Sequence, residues 1–149
     1  MIKIICLGSI KESYLREAIE EYKKRLSKYT KLEIVELKDE KDTSNPLKKE
    51  KENILKHIDS KDNIIILDIN GKEMTSEEFS QFINKELTMY SNITFIIGSS
   101  TGLDSEIKGL SNKRISFSRL TFPHQIFRII LLEQIYRSFK IINNETYHK

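Results

Sequence analysis

Three short runs of apolar, mostly β-branched residues limit what this chain can fold into more than any other feature: Ile2 to Leu7, Asn63 to Ile69 and Asn92 to Ile97. A strand with one wet face alternates apolar and polar side chains, and these runs do not. They predict strands covered on both faces, the arrangement of parallel sheets. Helical periods lie between them. From Glu12 to Tyr29, the residues Tyr14, Leu15, Ala18, Ile19, Tyr22, Leu26 and Tyr29 recur every three or four positions, predicting an amphipathic helix. Lys31 to Leu37 is strand-like, and 38 to 46 is a polar loop without an apolar anchor, expected to be mobile. Leu47 to Ile58 predicts a helix whose charged face belongs to solvent. Asn70-Gly71-Lys72 reads as the turn ending a strand, after which Thr75 or Ser76 caps a helix running to about Tyr90. Leu103 to Leu110 is short and helix-compatible, and Ile115 to Phe117 is a brief strand. This alternation predicts an α/β fold with a mainly parallel sheet and helices on both faces. With 149 residues, 38% of them apolar, and no break in composition, one domain over 1–149 is expected.

In such sheets ligands sit beyond the carboxyl ends of the strands. Three strand ends carry suitable loops, Leu67 to Gly71, Gly98 to Gly102 and Phe117 to Phe122, and one shared pocket is the economical expectation. Pro123 suits the first turn of the last helix, with Thr121 or Phe122 as its cap. The loop Gly98-Ser99-Ser100-Thr101-Gly102 lacks both the P-loop lysine and the third glycine of a dinucleotide turn, so by itself it is also compatible with a plain tight turn. Cys6, His57, His124 and His148 show no metal-ligand spacing, and no nucleophile elbow is present.

Residues 101–149 hold 8 basic and 4 acidic side chains, against 17 and 18 in residues 1–100. That asymmetry suits an anionic partner for the C-terminal third, although an ordinary surface would also show it. The lone Cys6 sits in an apolar run and reads as a core residue, which fits a reducing compartment. No stretch approaches the roughly 20 apolar residues of a membrane span, and the N-terminal run is too short for a signal peptide. A cytoplasmic protein without membrane attachment is expected. The last helix, Pro123 to about Ile142, is apolar on more than one face, leaving a narrow strip of Arg128, Glu133, Gln134, Arg137 and Lys140. Burial that extensive is hard to complete within one small subunit, so a homodimer interface is expected beside the alternative of a central core helix.

The set Phe95-Ile96-Ile97-Gly98, Ser116-Phe117-Ser118, Thr121-Phe122-Pro123-His124, Leu132-Glu133-Gln134-Ile135-Tyr136-Arg137 and Tyr147-His148-Lys149 closely resembles the RlmH family from end to end. Those bacterial enzymes methylate ring nitrogen 3 of a pseudouridine in 23S ribosomal RNA. The resemblance implies a SPOUT-type fold with a C-terminal trefoil knot, S-adenosylmethionine as methyl donor without a metal, a homodimer, and ribosomal RNA within the assembled ribosome as partner. It implies donor contacts at Leu67, Gly98, Phe117, Ser118, Arg119, Leu120, Thr121 and Phe122. It also implies catalytic roles among His124, Arg137, Tyr147, His148 and Lys149, the tail of one chain approaching the donor held by the other. The chain departs from the family pattern at Ser99, where a second glycine is usual. A nucleotide-binding regulatory module, or an idle RNA-binding or ribosome-assembly protein, would account for the loops or for the basic third, respectively.

Overall fold

In chain order the elements are β1 (Ile2–Leu7), α1 (Ser13–Leu26), β2 (Leu32–Leu37), α2 (Pro46–Leu55), β3 (Asn63–Glu73), α3 (Ser76–Met89), β4 (Ile93–Ile97), α4 (Ser105–Lys108), β5 (Arg114–Ser116) and α5 (His124–Ile142). This is a computed structural model describing residues 1–99, 101–111 and 113–149, so Ser100 of the glycine loop lies outside the described residues. Among the described residues one parallel sheet forms, in the order β2-β1-β4-β3-β5.

Side chains of each inner strand alternate between two apolar layers, which is why the runs lack polar positions. Ile4, Cys6, Ile65, Phe95 and Ile115 pack toward α1, α3 and α5, while Ile5, Leu7, Ile66 and Ile96 pack with Ile54 of α2 and Ile107 of α4. Each fully buried isoleucine contributes about 1.5–3 kcal/mol relative to exposure. Burial pushes the Cys6 thiol up to about 12, so it is an inert core group. The Thr75 hydroxyl accepts from the Glu78 N–H while the Glu78 carboxylate accepts from the Thr75 N–H, closing a capping box on α3.

Four sequence readings need correction. Asn70-Gly71-Lys72 does not end a strand: β3 continues to Glu73, and its register against β5 jumps so that Leu67 and Lys72 both face Ile115. Residues 68–71 therefore leave the ladder as an outward excursion, and Gly71 permits it, because a Cβ there would lie 2.6 Å from the Ile115 backbone. Pro123 is itself the N-cap of α5, extended at ψ 133°, rather than a first-turn residue behind Thr121 or Phe122. The charged side of α2 is not wholly solvated, because Glu50 is buried. The loop at 38–46 is tied inward through it, with the Glu40 N–H donating to the Glu50 carboxylate at 3.0 Å. Finally, Arg128 belongs to no solvent strip, being among the most deeply buried side chains of the molecule.

Candidate active site

Because β3 lies between β4 and β5, its excursion at 68–71 and the loops that follow β4 and β5 lie side by side at one end of the sheet. They enclose a cleft of about 710 Å³, bordered by Leu67 to Asn70, Gly98, Ser99, Gly102, Leu103 and the turn from Phe117 to His124. That size lies within the usual range for small-molecule sites. The register jump in β3 is what turns Asp68, Ile69 and Asn70 into one wall.

Two serine hydroxyls hold the turn after β5. Ser116 Oγ donates to the Ser118 carbonyl at 2.9 Å, and the Leu120 N–H donates to Ser118 Oγ at 2.9 Å. An aromatic row supports it from below: Phe79 meets Phe117 edge-on at 5.3 Å, Phe117 meets Phe127 at 5.3 Å, and Phe127 stacks on Phe122 at 6.3 Å. Leu120 remains 72% exposed, an apolar side chain at the cleft with nothing of its own chain to cover it. In the glycine loop Ser99 and Gly102 pair across a tight turn, and Gly102 takes φ +83°, which only glycine adopts freely.

His124 closes the cleft on the β1 side, where its imidazole lies over Gly8. A Cβ on Gly8 would come within 2.8 Å of His124 Nε2, and Gly8 itself has φ +88°. Burial first, and the Arg128 charge second, hold the His124 imidazole below its ordinary pKa of 6.5. Arg128 follows one helical turn later, donating to the Glu36 carboxylate at 2.7 Å and to the Gly8 carbonyl at 3.0 Å. Sequence reasoning missed this tie. Its only signal was an arginine flanked on both sides by apolar pairs, Ile126-Phe127 and Ile129-Ile130.

The remaining sequence-predicted residues gather elsewhere. Arg137 donates through Nε and Nη2 to Glu133 at 3.1 and 2.7 Å, and its guanidinium covers the Tyr147 ring at 4.8 Å. The Tyr147 hydroxyl donates to the same Glu133 carboxylate at 3.2 Å. His148 Nδ1 lies 3.1 Å from Arg137 Nη1, and its Nε2 lies 2.7 Å from Glu77 of α3. Arginine only donates, so Nδ1 accepts and a proton on Nε2 goes to Glu77; both ring nitrogens are engaged. Lys149 is exposed at the terminus. Of the sequence-predicted donor contacts, Leu67, Gly98, Phe117, Ser118, Leu120, Thr121 and Phe122 line the cleft. Arg119 does not; its exposed guanidinium sits 3.4 Å from Glu73. Within one chain, then, the structure brings His124 to the cleft and assembles Arg137, Tyr147 and His148 in a second cluster.

Over residues 1–148 the chain matches the family described as "Predicted SPOUT methyltransferase". Together with a parallel α/β sheet bearing a cleft beyond its strand ends, that match defines a methyltransferase of the SPOUT class. The chain is 51% identical over 154 residues to a protein of Caldicellulosiruptor saccharolyticus named "Ribosomal RNA large subunit methyltransferase H", covering 100% of both. It is 52% identical over 157 residues to a protein of the same name from Clostridium botulinum, covering 99% of both. The chain belongs to the RlmH family.

Proposed function

We propose that this protein transfers a methyl group from S-adenosylmethionine to ring nitrogen 3 of a pseudouridine in 23S ribosomal RNA, acting in the cytoplasm as a homodimer on the assembled ribosome. In this reading residues 1–149 form one catalytic domain, and its C-terminal third carries the trefoil knot that the family resemblance implies. The observation that carries the proposal is the meeting of three sequence-distant loops around one cleft, with His124 at its edge.

The cleft's chemistry fits the donor. A sulfonium nucleoside needs an apolar slot for its base and close backbone approach; the one lysine among the described lining residues, Lys108, is paired with Asp68 at 3.6 Å. Leu67, Leu120 and Phe122 supply the slot, Gly98 the approach, and the rings of Phe117 and Phe127 further apolar lining. When bound, S-adenosylmethionine supplies a methyl group on a good leaving sulfur. The chain must then hold the acceptor nitrogen in line with that methyl and take its proton. His124 suits the second task, because its depressed pKa leaves an unprotonated ring nitrogen at neutral pH. His148 suits it less, since both of its ring nitrogens are already engaged. Arg137 and Lys149 suit the offsetting of charge on the base carbonyls or the holding of phosphates.

His124 and Arg137 stand thirteen positions apart on one helix, or roughly 20 Å along its axis at 1.5 Å per residue. No single base touches both within one subunit, so the proposed chemistry requires a second copy to bring its tail cluster to this cleft. Mass spectrometry of ribosomal RNA, before and after incubating ribosomes with protein and donor, tests the function. The expected result is one added methyl on one pseudouridine with intact ribosomes and far less with free RNA. No added methyl on either substrate would refute the reading.

A further inference from the structure

Beneath the glycine loop lies a carboxylate that the proposed chemistry does not use. Glu50, on α2, is 2% exposed. One of its oxygens accepts the Glu40 N–H at 3.0 Å, and the other accepts from Ser99 Oγ at 3.1 Å. The direction of each hydrogen bond follows from chemistry. Burial raises the Glu50 carboxyl above its ordinary pKa, and the Glu40 N–H and Ser99 hydroxyl pull it part of the way back down. In its ionised form the carboxylate only accepts, so the one hydroxyl proton of Ser99 points to Glu50. Ser99 Oγ, its proton committed, turns its lone pairs to Thr101, whose hydroxyl lies 2.8 Å away and whose N–H lies 3.3 Å away. The Gly102 N–H then closes the turn on the Ser99 carbonyl at 2.9 Å. A buried acid on α2 thus orients the Ser99 and Thr101 side chains of the loop that packs beside it.

Gly98, immediately before Ser99, has no slack: a Cβ there would lie 2.9 Å from Leu103 Cγ and 3.0 Å from the Gly102 backbone. The backbone path through Gly98 and Gly102 consequently depends on where residue 99 is pinned. The Ser99 hydroxyl gives the loop a handle that a glycine at this position would lack. Hydrogen bonds to ionised groups are roughly twice as strong as neutral ones, which suits a latch on an otherwise permissive loop.

We propose that Glu50 is a positioning residue of the methyl-donor site, acting through the Ser99 hydroxyl to hold Gly98, Ser99, Thr101 and Gly102 in their donor-binding arrangement. This rests on the donor reading of the cleft. Glu50 touches no reacting atom, and its effect falls on the donor rather than on the RNA.

The test is a calorimetric titration of S-adenosylmethionine, with steady-state kinetics, on Glu50→Gln, Ser99→Ala, Ser99→Thr and the Glu50→Gln/Ser99→Ala double variant. Glutamine is isosteric, but while its Oε1 accepts the Glu40 N–H its Nε2 can meet Ser99 Oγ only as a donor, which reverses that hydrogen bond, removes its charge and frees the hydroxyl proton from residue 50. Glu50→Gln and Ser99→Ala are each expected to weaken donor binding roughly three- to tenfold, the range of one charge-assisted hydrogen bond partly spent on loop order. The donor KM should rise by more than kcat falls, the double variant should be no worse than the worse single one, and Ser99→Thr should restore binding by keeping the hydroxyl. Near-native donor affinity in both single variants, or losses that simply add in the double, would overturn the role of Glu50. A wild-type protein that binds no S-adenosylmethionine would instead sink the donor reading, and this proposal with it.

Discussion

The two ends of α5 are built from different materials. Near His124 the cleft is made of backbone turns, small residues and aromatic faces, its shape set by Gly8, Gly98, Gly102 and the register jump in β3. Near Arg137 the cluster consists of charged and polar side chains locked to one another: Glu133, Arg137, Tyr147, His148 and Glu77. The first kind of site can enclose a ligand whose groups match fixed amides and apolar walls. The second can stabilise charge through paired side chains. For a displacement reaction on RNA, one end is suited to holding the donor and the other to handling the acceptor's charge. In the proposed homodimer, their separation along one helix gives each subunit half of a reaction chamber.

The sharpest way to break this comparison is complementation. Arg137→Ala removes the tail cluster's cation, and Gly98→Val fills the loop where a single Cβ already meets Leu103 and Gly102. Each variant alone should lose at least ~100-fold in turnover, since each removes either positioning or donor binding. Mixing equal amounts under conditions that exchange subunits should restore about a quarter of wild-type activity, because half the dimers are mixed and each carries one complete site. Mixtures that stay inactive would mean that the two halves must come from the same chain.

A smaller effect is expected at the seat of His124. In Gly8→Ala, the added methyl must share space with His124 Nε2, and alanine must adopt φ +88°. The left-handed conformation costs about 1–2 kcal/mol, visible as an earlier urea midpoint. Turnover should fall roughly tenfold as the imidazole is displaced, while donor affinity changes little. An unchanged single-turnover rate would detach His124 from the chemistry. At the other end of the helix, the Glu145 carboxylate accepts from Tyr29 at 2.8 and 2.9 Å and is also bonded by Lys140. Glu145→Gln should loosen the tail and cost about two- to threefold in turnover, an effect the size of an exposed polar contact. A loss as large as that of Arg137→Ala would make Glu145 part of the site itself.

The sequence made the two regions legible to different degrees. Strands buried on both faces leave unbroken apolar runs, so the sheet and its parallel character were readable, and with them the three loops of the cleft. The features that finish the cleft were not, because they depend on partners far along the chain. Arg128 meets Glu36 and Gly8, 92 and 120 positions away, and looks on the helix like one member of a polar strip. Glu50 likewise reads as a solvated helix charge until Ser99, 49 positions on, arrives above it. At Gly71 the residue type was read correctly and its consequence wrongly. Turn chemistry and close approach of two backbones both call for glycine, and only strand pairing tells them apart. The tail posed the reverse problem. Seven polar residues suggest fraying, yet Tyr147 packs edge-on against Tyr136 at 5.0 Å and Glu145 is bonded to Tyr29, three residues past the end of α1.

The smallest effect expected is a pH dependence confined to the cleft end. The folded state holds His124 below 6.5, so between the lowered value and 6.5 the unfolded chain binds more protons than the folded one. Stability therefore falls as pH drops from above 6.5 and stops changing on this account once pH is below the folded value. Turnover should fall over the same side, with an acid limb centred below 6.5, if the unprotonated ring takes the acceptor's proton. Burial is the larger cause and Arg128 the second, which gives the test its discriminating form. Arg128→Met leaves the imidazole covered but removes the neighbouring charge, so the acid limb should move part of the way up toward 6.5 without reaching it. His124→Asn should abolish the limb and flatten the difference in thermal midpoint between pH 5 and 8. A limb that survives in His124→Asn and disappears in His148→Asn would move the base to the tail and reverse the division of labour between the two ends of the helix.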